Sequence, residues 1–114
     1  MDKQAARADR VPAARSVGEA VSCIPLAQLR ESIVRDDRTI DFRMTGGRVY
    51  RNVLPYSCSG LGFERAFSYA TSLSQLCSTD IIHVLQTVGG RVQPAAACGL
   101  GQFQPVELEK KPRG

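Results

Sequence analysis

The chain has 114 residues, a formal charge of +4 and a sequence pI near 9.1. That length fits one domain with a modest core, and no stretch approaches the ~18 consecutive apolar residues of a membrane span. The basicity is mild: acids are interspersed with the arginines, no run of five or six like charges occurs, and no nucleic-acid reading motif is found. Nucleic acid is therefore not expected as a partner.

Residues 1–22 are rich in Ala and Arg, contain Pro12 and lack a sustained apolar stripe, which predicts a flexible arm or tether, with a marginal helix as the alternative. The opening Met1-Asp2-Lys3-Gln4-Ala5-Ala6-Arg7 lacks the apolar core of a secretory signal. Either a leader was removed or the chain stays inside the cell.

The texture changes at Cys23, where a domain of residues 23–106 is expected to begin. Residues 25–28 read as a turn or one helical turn, residues 29–34 as a strand, and residues 35–38 as a charge-balanced turn. Residues 39–44 alternate, with Ile40, Phe42 and Met44 on one face and Thr39, Asp41 and Arg43 on the other, the pattern of a half-buried strand. Thr45-Gly46-Gly47-Arg48 reads as a hairpin turn, because paired glycines accept positive φ. The returning strand, 48–54, should place Tyr50, Asn52 and Leu54 on one face.

Pro55 stops that strand, and residues 56–65 read as a glycine-containing loop carrying Cys58. Residues 66–73 read as a strand; a helix over 64–77 competes, since Phe67, Ala70, Leu73 and Leu76 fall near helical spacing. Residues 81–88, nearly continuous in apolar side chains, form another strand. Residues 89–94 follow as a loop, residues 98–106 as a glycine-punctuated last strand, and residues 107–114 as a charged, disordered tail. Five or six short strands without crossover helices predict an all-β fold, a small antiparallel meander forming a barrel or sandwich.

Cys23, Cys58, Cys77 and Cys98 show none of the close spacings of a structural zinc site, so the even count predicts two disulfides and an oxidising compartment. Reduced thiols in a cytosolic protein are the alternative. Three pairings are open, of which Cys58 to Cys77 with Cys23 to Cys98 is preferred: it ties a long loop to the strands after it and clamps the start of the domain to its last strand. A bridge over about 20 residues contributes on the order of 3 kcal/mol and one closing most of the domain roughly 4 or more.

Four features invite a chemical reading. Cys58-Ser-Gly-Leu-Gly-Phe and Cys98-Gly-Leu-Gly-Gln-Phe suggest a phosphate loop, but the strand-before, helix-after context and the third glycine are absent, so turn or close-packing glycines are expected. His83 is the only histidine, which excludes a multi-histidine metal site; with Cys58 or Cys77 as thiolate it would make a thiol enzyme, a chemistry that disulfide formation removes. Asp36, Asp37 and Asp41 with Glu31 could form a carboxylate cluster, yet no calcium-loop pattern is present and Asp36-Asp37 lies between Arg35 and Arg38 as in a turn. Arg43, Arg48 and Arg51 flank the Gly-Gly turn with Tyr50 nearby and form the one candidate binding patch. No catalytic residue, metal ligand or cofactor is expected.

The phrases Cys23-Ile24-Pro25-Leu26, Asp36-Asp37-Arg38-Thr39-Ile40, Gly46-Gly47-Arg48-Val49-Tyr50-Arg51-Asn52-Val53-Leu54, Cys58-Ser59-Gly60-Leu61-Gly62, Phe67-Ser68-Tyr69, Leu76-Cys77-Ser78-Thr79-Asp80 and Cys98-Gly99-Leu100-Gly101-Gln102-Phe103 occur in that order. Together they resemble an uncharacterised family of small bacterial proteins, mostly proteobacterial, whose members usually carry a signal peptide or lipoprotein-type leader. The resemblance spans about residues 23–106 and implies an exported, cysteine-containing β-rich domain with no established activity. The expectation is thus a non-enzymatic periplasmic or envelope domain that binds or supports, its partner an envelope protein or an anionic surface. A thiol-dependent enzyme or redox protein, and an intracellular basic adaptor for nucleic acid, are the alternatives.

Overall fold

The computed structural model describes residues 11–71 and 74–109. Among the described residues, ten strands form three antiparallel sheets. The largest has five strands in the order β1 (Ala14–Ser16), β10 (Phe103–Leu108), β5 (Val49–Val53), β4 (Thr39–Met44) and β3 (Leu29–Val34). A three-stranded sheet has the order β6 (Phe67–Tyr69), β8 (Ile81–Val88), β9 (Arg91–Gly99), and β2 (Cys23–Pro25) pairs with β7 (Gln75–Cys77). One helical turn, α1 (Leu61–Glu64), packs beside β8.

The alternation of β4 decides which face is inside. Ile40, Phe42 and Met44 are buried, and their neighbours on the same face are Asn52 and Leu54 after β5 turns back, Val34 on β3 and Phe103 on β10. This face packs against Ile82 and Val84 of β8 and Ile24 and Leu76 of the small sheet. Phe42 sits at the centre, edge-on to Phe103 at 5.4 Å and to Phe67 at 6.3 Å between ring centroids. It joins the large sheet to the three-stranded one, and edge-to-face pairs add to the burial energy.

The five-stranded sheet is open, with β1 and β3 at its edges, so the architecture is sandwich-like and the barrel alternative is not realised. The disulfides are Cys23–Cys77 and Cys58–Cys98, which corrects the preferred pairing of Cys58 with Cys77 and Cys23 with Cys98. The cause is register: Cys23 and Cys77 lie directly opposite each other in the β2–β7 pair. Cys98, opposite Ile82 on β9, packs against the core that encloses Cys58.

Other boundaries also move. Residues 14–16, within the expected arm, form edge strand β1 against β10, and Val21 exchanges backbone hydrogen bonds with Phe103 at 2.8 Å each way. Glu107 and Leu108, within the expected tail, belong to β10. Of the loop expected over residues 89–94, Gly89 and Gly90 form the turn, while residues 91–94, Pro94 included, belong to β9. β9 is an edge strand, and there a proline without an N–H is tolerated. The expected 98–106 strand divides into the end of β9 and β10. The 56–65 loop contains α1, and β6 and β7 replace the alternative helix over 64–77. Residues 72–73, at the end of the expected 66–73 strand, and residues 1–10 and 110–114 of the expected arm and tail lie outside the described residues.

Gly101 explains the second glycine phrase. A Cβ there would overlap the Val53 carbonyl oxygen. The close approach lets Asn52 make a reciprocal pair, its Nδ2 donating to the Gly101 carbonyl at 2.7 Å and its Oδ1 accepting from the Gly101 N–H at 2.8 Å. A fully buried amide is thereby satisfied.

Phe42→Ala removes the ring that bridges the sheets and should lower stability by about 3–5 kcal/mol in urea unfolding with the disulfides intact. Gly101→Ala should also destabilise, through the Val53 overlap and the loss of the Asn52 pair.

Candidate functional site

The four residues of the expected basic patch separate into three environments. On the outer face of the large sheet, Arg51 lies opposite Asp41 in the β4–β5 register. Its Nε and Nη2 donate to Asp41 Oδ1 and Oδ2 at 2.8 and 3.0 Å, and Arg35 Nε donates to Oδ2 at 2.9 Å. Asp41 is fully buried beneath the two guanidiniums, whose side chains are 14% and 18% exposed. Arg51 is thus committed to holding a buried carboxylate, a structural task in which both partners are needed.

Arg43 and Arg48 stay at the Gly-Gly turn. Both are exposed, and they line a solvent-open groove of about 840 Å³ together with Arg30. The turn itself, Thr45–Gly47, holds Gly46 and Gly47 at φ 85° and 83°, values that favour glycine. Met44 N–H donates to the Arg48 carbonyl at 2.7 Å, and the Thr45 hydroxyl donates to the Gln28 carbonyl at 3.2 Å, so the turn is tied to the residues before β3. Tyr50 faces the other way: it packs against the core and shares with Arg48 a smaller cavity of about 230 Å³.

Arg30 is the groove residue that sequence reasoning missed. β3 pairs Leu29 with Met44 and Glu31 with Arg43, so Arg30 is the extra residue of a β-bulge. A bulge re-aims a side chain out of strict alternation, and here it brings Arg30 to the groove beside Arg43. Nothing in the local sequence marks a bulge, since it depends on which residue of β4 lies opposite.

The other candidates hold structural positions. Asp37 anchors the Cys58 loop: its carbonyl accepts from Cys58 N–H and its Oδ1 from Gly62 N–H, both at 2.7 Å. Asp36 Oδ1 accepts from Arg38 N–H at 2.8 Å, and Asp80 Oδ2 from Cys77 N–H at 2.7 Å, both turn contacts. Glu31 pairs with Arg43 at 3.2 Å. His83 is half-buried on β8, in register with Ser68 and Ala97. No group of three or more His, Cys, Asp or Glu that could hold a metal ion forms among the described residues.

No helix among the described residues is long and apolar enough to cross a membrane. No family model, no curated protein and no solved structure matches the chain.

The two arginine environments should respond differently to truncation. Asp41→Ala strands two half-buried guanidiniums and should cost about 3–5 kcal/mol in urea unfolding. Arg43→Ala and Arg48→Ala, which break only exposed contacts, should each stay within about 1 kcal/mol of the parent.

Proposed function

We propose that the chain is a small non-enzymatic binding or structural domain of an exported protein, periplasmic or envelope-associated. The observation that carries this reading is that all four sulfurs are joined in two disulfides, one of them including the fully buried Cys58. Such bonds persist in oxidising compartments, whereas cytosolic thiols are kept reduced. The resemblance of the ordered phrases from Cys23 to Phe103 to leader-bearing bacterial proteins points the same way. The exposed Arg30, Arg43 and Arg48 around the Gly-Gly turn support an anionic contact as the mode of binding.

A thiol-dependent activity would need a thiolate at Cys58 or Cys77. Both sulfurs are already bonded, to Cys98 and Cys23 respectively.

Intact mass after denaturing alkylation tests the reading on protein purified from its native host without reductant. No labelled thiol before reduction and four after it is the expected outcome. Four labelled thiols at the outset would contradict export and reopen thiol chemistry.

A further inference from the structure

We infer that the groove beside the Gly46–Gly47 turn receives a short acidic peptide segment of a partner protein, one that carries carboxylates and an apolar side chain. This deepens the binding reading above and rests on it.

The charge on the groove wall is largely uncompensated. Arg30 has no ion-pair partner among the described residues. Arg48 Nη2 donates to the neutral Gln28 Oε1 at 3.3 Å, which leaves its charge unopposed. Arg43 alone is paired, with Glu31 at 3.2 Å, and the two side chains are 56% and 46% exposed. An ion pair so exposed is worth about 1 kcal/mol at most, so an incoming carboxylate can displace Glu31 at small cost. Guanidinium forks match carboxylates in bidentate fashion, and the molecule already uses that geometry at Asp41 and Arg51.

The rest of the lining narrows the ligand further. Val17, 52% exposed, supplies apolar surface above Val49 and Val106, which are themselves buried in the groove floor. A ligand that touches both arginine and valine carries an apolar group beside its acid. Glu107, paired with Arg15 at 3.1 Å, also lines the groove, and Glu31 stands next to it paired with Arg43. The cationic surface is therefore short and flanked by acids, which suits a ligand with one or two carboxylates better than an extended polyanion such as nucleic acid. The surface is concave, which suits an inserted segment better than a flat bilayer. The groove, about 840 Å³ and open to solvent, has room for a short segment lying along it.

The test is to pan a random hexapeptide phage library on the immobilised oxidised protein and to measure the enriched peptides by fluorescence polarisation. Enrichment of Asp or Glu together with an apolar residue is expected. Arg30→Glu and Arg48→Glu should each weaken binding about tenfold or more, as expected when an attractive charge becomes a repulsive one. Arg91→Glu, an exposed charge on the β8–β9 hairpin, should leave binding unchanged. Near-ultraviolet circular dichroism checks that each variant folds. Three results overturn the inference: enriched peptides without acidic residues or no enrichment, unchanged affinity in both groove variants, or displacement of the peptide by inorganic phosphate or phosphatidylglycerol vesicles at least as effective as by free acidic peptide. Failure here with all thiols bonded removes the groove ligand alone, whereas free thiols in native protein remove the exported reading whether or not peptides bind.

Discussion

The two disulfides cross in sequence, and the arrangement of the sheets depends on that crossing. Cys23–Cys77 and Cys58–Cys98 span 54 and 40 residues. In the chain-entropy model each contributes about 4 kcal/mol, and the sum is smaller because the loops overlap. Such a contribution is comparable with the whole net stability of a small domain. The β2–β7 pair is two strands of three residues, which alone would be marginal; its bond and the packing of Ile24 and Leu76 hold it on the core. The second bond fixes the Cys58 loop to β9, next to the contacts that Asp37 makes with the same loop.

Around that frame the five-stranded sheet has two chemically distinct faces. The inner one is an aromatic and aliphatic layer centred on Phe42. The outer one carries a buried carboxylate under two guanidiniums, and near the Gly-Gly turn it gives way to exposed arginines over valine. The difference follows from partners: opposite Asp41 stands Arg51, whereas opposite Arg43 stand Val49 on one side and Glu31 on the other. Arginines of similar appearance in sequence therefore have separate tasks, one internal and one at the surface.

The parts of this structure legible in the sequence are those governed by local pattern. The alternation of residues 39–44 gave the core face, although the opposite face is not the open one expected, since Thr39 and Asp41 are buried and only Arg43 is exposed. The Gly-Gly pair gave the turn, and the apolar run at 81–88 gave β8. Pairing across distance was not legible. The disulfide partners depend on β2 meeting β7, two short strands with little periodicity of their own. Residues 14–16 join the sheet only because β10 offers them an edge. The same holds for the candidate site: Arg43 and Arg48 could be chosen by proximity to the turn, but Arg51 was drawn inward by Asp41 and Arg30 was brought forward by a bulge.

The most direct test of this account is a non-reducing tryptic map, because each cysteine falls on its own tryptic peptide, covering residues 16–30, 52–65, 66–91 and 92–110. The account predicts linked pairs of 16–30 with 66–91 and of 52–65 with 92–110. Linkage of 16–30 with 92–110 and of 52–65 with 66–91 would contradict it, since β2 could not then be covalently joined to β7 nor the Cys58 loop to β9.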